Sequence, residues 1–243
     1  MSRADLARVY LTHPSVLAYL GLAALCLGVA ARTAASPWPP LLAVAAVALL
    51  YPLIEYLVHR FVLHGRFMYR VPFLAATWKR VHYDHHRDPT DLRVLFGALY
   101  TTLPTIALVT LPVGALVGGV PGAAAAFGTG LLAFALYELC HCMQHLSFTP
   151  KSRFLRRVKR LHMAHHFHNE SGNFGITSFL WDRLLGTLHD PPGAAPRSPT
   201  TFNLGYTEEE ARRYPRVAEL TRTPGDGAER GEDAPTSSAR RSA

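Results

Sequence analysis

Formal charge is what this chain most lacks. Only 17% of its 243 residues are Asp, Glu, Lys or Arg, against 49% hydrophobic residues, which is low for a water-soluble domain of this size. The shortage is concentrated: no formally charged residue occurs from Val9 to Ala31, from Thr33 to Ile54, or across the 44 positions from Val94 to Tyr137. Roughly 20 apolar residues cross a bilayer, so the longest run suffices for two crossings. Gly118-Gly119-Val120-Pro121-Gly122 near its middle is turn chemistry. The expected fold class is all-α, an integral membrane four-helix bundle with spans near 14–31, 40–60, 94–117 and 123–145. The second and fourth should run on past the bilayer. Arg3 and Arg8 precede the first run in the manner of a secretory leader, but no clear small-x-small cleavage site with a soluble domain follows it. It reads as a retained helix.

Cysteine is also scarce. There are three, with Cys26 inside a span and Cys140 and Cys142 on either side of His141. No disulfide framework is implied. Residues two apart on a helix do not share a face, so the Cys140–Cys142 pair cannot jointly serve a metal beside His141.

Acidic residues number 17 against 25 basic ones, a formal net charge of +8. The basic residues flank the expected spans. Arg60, Arg66, Arg70, Lys79, Arg80, Arg87 and Arg93 lie between the second and third, Lys151, Arg153, Arg156, Arg157, Lys159 and Arg160 follow the fourth, and the other side has only Arg32. Positive residues concentrate on the cytoplasmic side, which places both termini there, where basic groups face anionic lipid. They are not interleaved with stacking aromatics, so no nucleic-acid partner is expected. Residues 1–190 read as one membrane domain and 191–243 as a cytosolic tail. Within the tail, 191–206 is a Pro, Ser and Thr loop, Glu208 to Leu220 a short helix after Thr207, and the stretch from about 223 disordered.

Histidine is what the chain has in excess. Ten of its 13 histidines fall into four clusters, His59-x4-His64, His82-x2-His85-His86, His141-x3-His145 and His162-x2-His165-His166. All four lie at the same end of the expected bundle, which brings sequence-distant residues to one cytosolic cap. Neutral imidazole is the commonest transition-metal ligand. His141 and His145 share a helical face, as His82 does with His85 and His86, and His162 with His165 and His166. His59 and His64 are about 140° apart on an ideal helix, so the helix must loosen before Gly65 for both to bind. A zinc ion is satisfied by four ligands. Ten nitrogens ask for two metals, and open positions on such a pair suit iron and O2 chemistry, although zinc also accepts these ligands. His13, His168 and His189 stay outside the set.

Glu55 and Glu138 each lie one turn ahead of a helical cluster. A carboxylate at a membrane helix end is a functional candidate, and the expectation is that each accepts a hydrogen bond from a ligand imidazole. The alternative is a carboxylate paired with a base such as Arg60.

At this point the chain resembles the membrane fatty acid hydroxylase/sterol desaturase superfamily, and within it the fatty acid 2-hydroxylases. The resemblance spans about 51–189. It rests on Glu55-Tyr56-x2-His59-Arg60-Phe61-x2-His64, the two H-x2-H-H clusters, Tyr137-Glu138-x2-His141-x3-His145, and Phe174-Gly175-Ile176-Thr177-Ser178 followed by Trp181-Asp182 and Gly186-Thr187. It implies two iron ions held by the ten clustered histidines, O2 and external electrons as co-reactants, and hydroxylation of a fatty acyl chain at C2. It also implies a substrate mouth at Asn173, Phe174, Gly175, Thr177 and Trp181, with Asn173 where that branch carries Gly. A lipid would come from the bilayer. Because the first span begins near residue 14, a separate carrier of ferredoxin or cytochrome b5 type is expected to bring electrons. Carotenoid hydroxylation or sterol oxidation and desaturation is the alternative within the superfamily. A metal transporter would place its ligands nearer the bilayer midplane.

Overall fold

Three helical runs in the computed structural model are long and apolar enough to cross a membrane: Pro14–Thr33, Trp38–Leu63 and Leu92–His145. They occupy the charge-poor stretches. The structure describes residues 1–221, and the disorder expected from about 223 lies outside them. Among the described residues every regular element is helical.

The third run holds its main helix at Leu99–His145, interrupted by non-helical backbone at Gly118 and Gly119. Gly119 has φ +57, a conformation open to glycine because no Cβ obstructs it. Residues equidistant from this kink meet: Gly114 lies against Gly122, and a Cβ on Gly130 would sit 2.8 Å from methyl groups of Ile106 and Thr110. The two arms therefore pair as a hairpin at the expected Gly118–Gly122 turn. The first arm starts at Leu99 rather than near 94, because Phe96 and Ala98 are extended. Pro14–Thr33 and Trp38–Leu57 both pack along this hairpin. Their outward faces, like those of the hairpin, expose large apolar side chains such as Leu25, Leu49, Leu108 and Leu116, a surface suited to hydrocarbon and not to water.

Trp38–Leu57 passes without a break into a π-helical turn, Val58–Leu63, closed by the His64 amide on the His59 carbonyl at 3.1 Å. A second π-helical turn, Lys79–Tyr83, carries His82. Both follow from the local need to widen the helix where histidines must converge.

Arg153–Phe167 is amphipathic and turns Val158, Leu161 and His162 inward. The Lys159 ammonium donates to the carbonyls of Met143, Leu146 and Phe148 at 3.2, 2.6 and 2.9 Å, capping the end of the His141–His145 helix. A cation suits that position because terminal carbonyls there lack partners.

The stretch read as a tail is packed. Leu204, Tyr206 and Val217 share a core with Met68, Tyr69, Trp78 and Tyr83 from between the second and third runs. Thr207 caps a helix as expected, through the Glu210 amide. That helix is two pieces, Glu208–Arg213 and Arg216–Thr221, since Pro215 cannot donate to the ladder.

Candidate metal centre

The widened turn at Val58–Leu63 solves the five-residue spacing. His59 and His64 bring their ring centroids to 5.0 Å, a proximity the ideal helix would deny them. Ring nitrogens of nine histidines gather into two groups, with the nitrogens in each lying within 4.8 Å of one another: His85, His141, His145, His162 and His166 form one, and His59, His64, His86 and His165 the other. His82 adjoins the second group, its ring centroid 4.6 Å from that of His64 and 4.7 Å from that of His86. In each H-x2-H-H cluster the adjacent histidines splay toward different groups, His85 from His86 and His166 from His165. All ten expected histidines thus come together. His168 instead meets the Ala195 carbonyl, and His13 stacks on Phe96.

Nitrogens from separate elements point at common positions. His145 Nε2 lies 3.1 Å from His141 Nε2 and 2.8 Å from His162 Nε2, and His64 Nε2 lies 3.0 Å from His165 Nε2. Burial pushes His86 and His165 down to about 3, with nearby imidazoles adding to the effect, so the rings are neutral and carry free lone pairs. The buried nitrogens His82 Nε2, His85 Nε2 and His86 Nε2 have no hydrogen-bond partner. Such orphans are costly in a protein interior, and a metal ion would take their lone pairs. The residues fit a metal.

Three rings are fixed from behind. The Nδ1–H of His59 donates to Phe174 O at 2.5 Å, that of His165 to Gly172 O at 2.7 Å, and that of His86 to Thr201 O at 3.0 Å. Each leaves Nε2 as the free donor.

Neither carboxylate touches an imidazole, contrary to expectation. Glu55 accepts from the Ile176 and Thr177 amides at 2.7 and 2.9 Å and from Thr177 Oγ1 at 2.6 Å. It pins the segment whose Phe174 carbonyl orients His59. Glu138 Oε1 accepts from the Gly97 amide at 2.7 Å and joins the hairpin to its lead-in loop. Backbone amides closer than the rings claim both carboxylates. Nor does Glu55 pair with Arg60, which donates to the Tyr56 hydroxyl.

The residues expected at the substrate mouth make structural contacts. Asn173 is buried at φ +56 and knits the chain to Leu161 and His189. Asn is among the few non-glycine residues at ease in that region. Phe174 packs on His59, His64 and His165, and Gly175 has no room for a Cβ against Ser178. The cavity beside the histidines, about 300 Å³, has Ile176 in its wall, while Asn173, Phe174, Gly175, Thr177 and Trp181 are not among its lining residues.

At the level of sequence Asp182 figures only as part of the Trp181-Asp182 motif, with no role of its own. Fully buried, it accepts from the Phe174 and Gly175 amides at 2.8 Å each and from Thr187 Oγ1 at 2.9 Å. Burial raises its pKa and these hydrogen bonds oppose the rise. Beyond that motif, its signal was a carboxylate in a mostly apolar stretch.

Helices fit for a membrane, joined at one end by two clusters of imidazoles, define a membrane protein with a histidine-rich site that could hold metal. The fatty acid hydroxylase family pattern matches residues 44–187, and the chain belongs to that family. Its relatives include fatty acid 2-hydroxylase of Rattus norvegicus, 32% identical over 142 residues, covering 58% of this chain and 37% of that protein. Dihydroceramide fatty acyl 2-hydroxylase FAH1 of Arabidopsis thaliana is 32% identical over 152 residues, covering 59% and 58%. Ceramide very long chain fatty acid hydroxylase SCS7 of Saccharomyces cerevisiae is 32% identical over 148 residues, covering 58% and 36%. The chain thus matches between about a third and three fifths of the length of these relatives. A solved structure of full-length Scs7p, with its hydroxylase domain visible, superposes with a TM-score of 0.64 at 29% identity, covering 76% of this chain and 68% of that one.

Proposed function

We propose that the chain hydroxylates a fatty acyl chain at C2 with O2, using two iron ions. The observation that carries this is the cavity. Val47, Tyr51, Ile54 and Val58 line it from one helix, and Gly130, Phe134, Tyr137 and His141 from the hairpin, each set repeating at the same helical spacing. The cavity therefore runs along both helices for about 16 Å, at roughly 1.5 Å per residue. That accommodates about 13 carbon–carbon bonds at the roughly 1.2 Å per bond of an extended chain. Its inner end reaches His59, His82 and His85. An acyl tail lying among the apolar residues would hold the carbons nearest its carboxyl end beside the imidazoles.

One iron would be held by His85, His141, His145, His162 and His166, and the other by His59, His64, His82, His86 and His165. Bound there, the pair supplies O2 activation, one oxygen entering the C–H bond and the other leaving as water with two electrons and two protons. The protein's own part is to hold neutral nitrogens in place and keep water from the chain. Phe174 covers the His59–His64–His165 side, and Glu55 and Asp182 fix the loop carrying it.

With the two hairpin arms counted separately, the protein crosses the membrane four times. Both termini and the metal centre face the cytoplasm, and the basic face there receives an acidic electron carrier, ferredoxin or cytochrome b5 in type. The test is lipid analysis of cells expressing the chain with a reductase system. Hydrolysed lipid should contain 2-hydroxy fatty acids that vanish with His165→Ala/His166→Ala. Their absence from cells holding metal-loaded, reducible protein would discard the C2 assignment and favour a carotenoid or sterol.

A further inference from the structure

The family match ends at residue 187, yet one of the three carbonyls that orient the histidines belongs to Thr201. We propose that residues 195–221 form a strap that completes the His59–His64–His86–His165 half of the metal centre by fixing the His86 ring. The inference rests on the reading of these histidines as metal ligands.

Three anchors set the strap in place. At its start it is stitched to the end of the His162–Phe167 helix: His168 Nε2 meets Ala195 O, the Asn169 amide group donates to Pro196 O, and the Ser198 amide donates to His168 O, each at 2.8 Å. Next, Glu170 Oε1 accepts from Ser198 Oγ at 2.9 Å and from Thr200 Oγ1 at 2.5 Å. Beyond the turn at Leu204 and Gly205, both at positive φ, Tyr206 and Val217 seal against Tyr69 and Trp78, and Glu210 pairs with Arg70 at 2.8 Å.

Thr201 lies between the second and third anchors, 2% exposed, with its carbonyl on His86 Nδ1. His86 sits on a helix of four residues, Asp84–Arg87, too short to fix a ring by its own pitch. A carbonyl behind the ring does so, and it also sets the tautomer that frees Nε2. His85, on the same short helix but serving the other group, has no such tether. Loosening the strap should therefore affect one metal and spare the other.

The test uses the full chain. Glu170→Ala removes the acceptor for Ser198 and Thr200 without touching a histidine. Ser198→Ala/Thr200→Ala frees the same latch from the strap side and leaves the His162–Phe167 helix unaltered. Iron-loaded wild type and variants are compared by metal analysis and chelator competition, with circular dichroism as a check on helix content. One metal equivalent in both variants should be held about tenfold more weakly, the scale of losing a group behind a ligand, with the second equivalent and the helix content unchanged. Unchanged retention of both equivalents, or equal weakening of both, would overturn the strap. Wild type that binds no metal would instead overturn the metal centre beneath it.

Discussion

The two histidine groups are built by different means. In one, four of five members sit on long regular helices at a spacing of four, His141 with His145 and His162 with His166, and none of those four Nδ1 atoms has a hydrogen-bond partner. Helix pitch and the Lys159 cap between the two helices fix the rings. In the other, His165 shares the regular helix of His162 and His166, but His59 and His64 come from a π-helical turn and its end and His86 from a four-residue helix. Three of those four rings are tethered to backbone carbonyls. Regular backbone orients a side chain through its period, whereas at His59 and His86 the irregular backbone is supplemented by a carbonyl behind the ring. The second half is thus the one that residues far from any histidine can loosen.

The largest effect should come from the rings themselves. His145→Ala removes a nitrogen beside both His141 and His162 and should release the metal of the helix-borne half alone. Product formation should fall by more than the 10–100-fold that losing an outer group costs. His59→Ala should do the same to the other half, and metal counts with spectroscopy on each variant will tell the halves apart. If either change strips both metals, the halves are one unit and the contrast fails.

A smaller and more discriminating effect is expected of Glu55→Gln. An amide in that place keeps one acceptor oxygen but turns a donor toward Thr177 Oγ1, a change worth about 1–3 kcal/mol for a buried group left without its partner. The thermal midpoint should drop, and the tethered half should lose metal while the helix-borne half keeps it. Full metal content with full activity would show that the Ile176–Thr177 segment does not act through Phe174 and His59.

Acid should act on both halves alike. His86 and His165 stay neutral down to about 3, and burial holds His162 and His166 well below the ordinary histidine value. Unfolded histidine takes up its proton near 6.5, so from there down to about 3 the unfolded state binds more protons. Stability is present above that window and is lost as pH falls through it. Thermal midpoints of metal-free protein should decline from pH 7 to pH 5, and a flat profile would contradict the burial of neutral rings.

Much of this was legible in the chain. The uncharged runs located the long helices, the glycines at 118 and 119 the hairpin turn, and the spacing of four the helix-borne pairs, since each is a signal of side-chain type and period. Even the five-residue gap from His59 to His64 announced a loosened helix. The tethers were not legible, because every residue owns a carbonyl and nothing in Gly172, Phe174 or Thr201 marks which carbonyl will face a ring. The same reason hid the packed strap behind a Pro- and Ser-rich composition. Glu55 and Glu138 were found by type, and their partners were misjudged because amides carry no sequence signature. Asn173 was assigned to the substrate when its backbone angle was the constraint.

The hairpin turn has a further consequence. Gly118 and Gly119 reverse the chain with no polar loop, and among the described residues the one other connection at that end is the short link between Thr33 and Trp38. Proteases, labelling reagents and antibodies would find almost nothing to grip there. Exchange of ions, protons or electrons with water would then pass, among the described residues, through the end where the imidazoles lie.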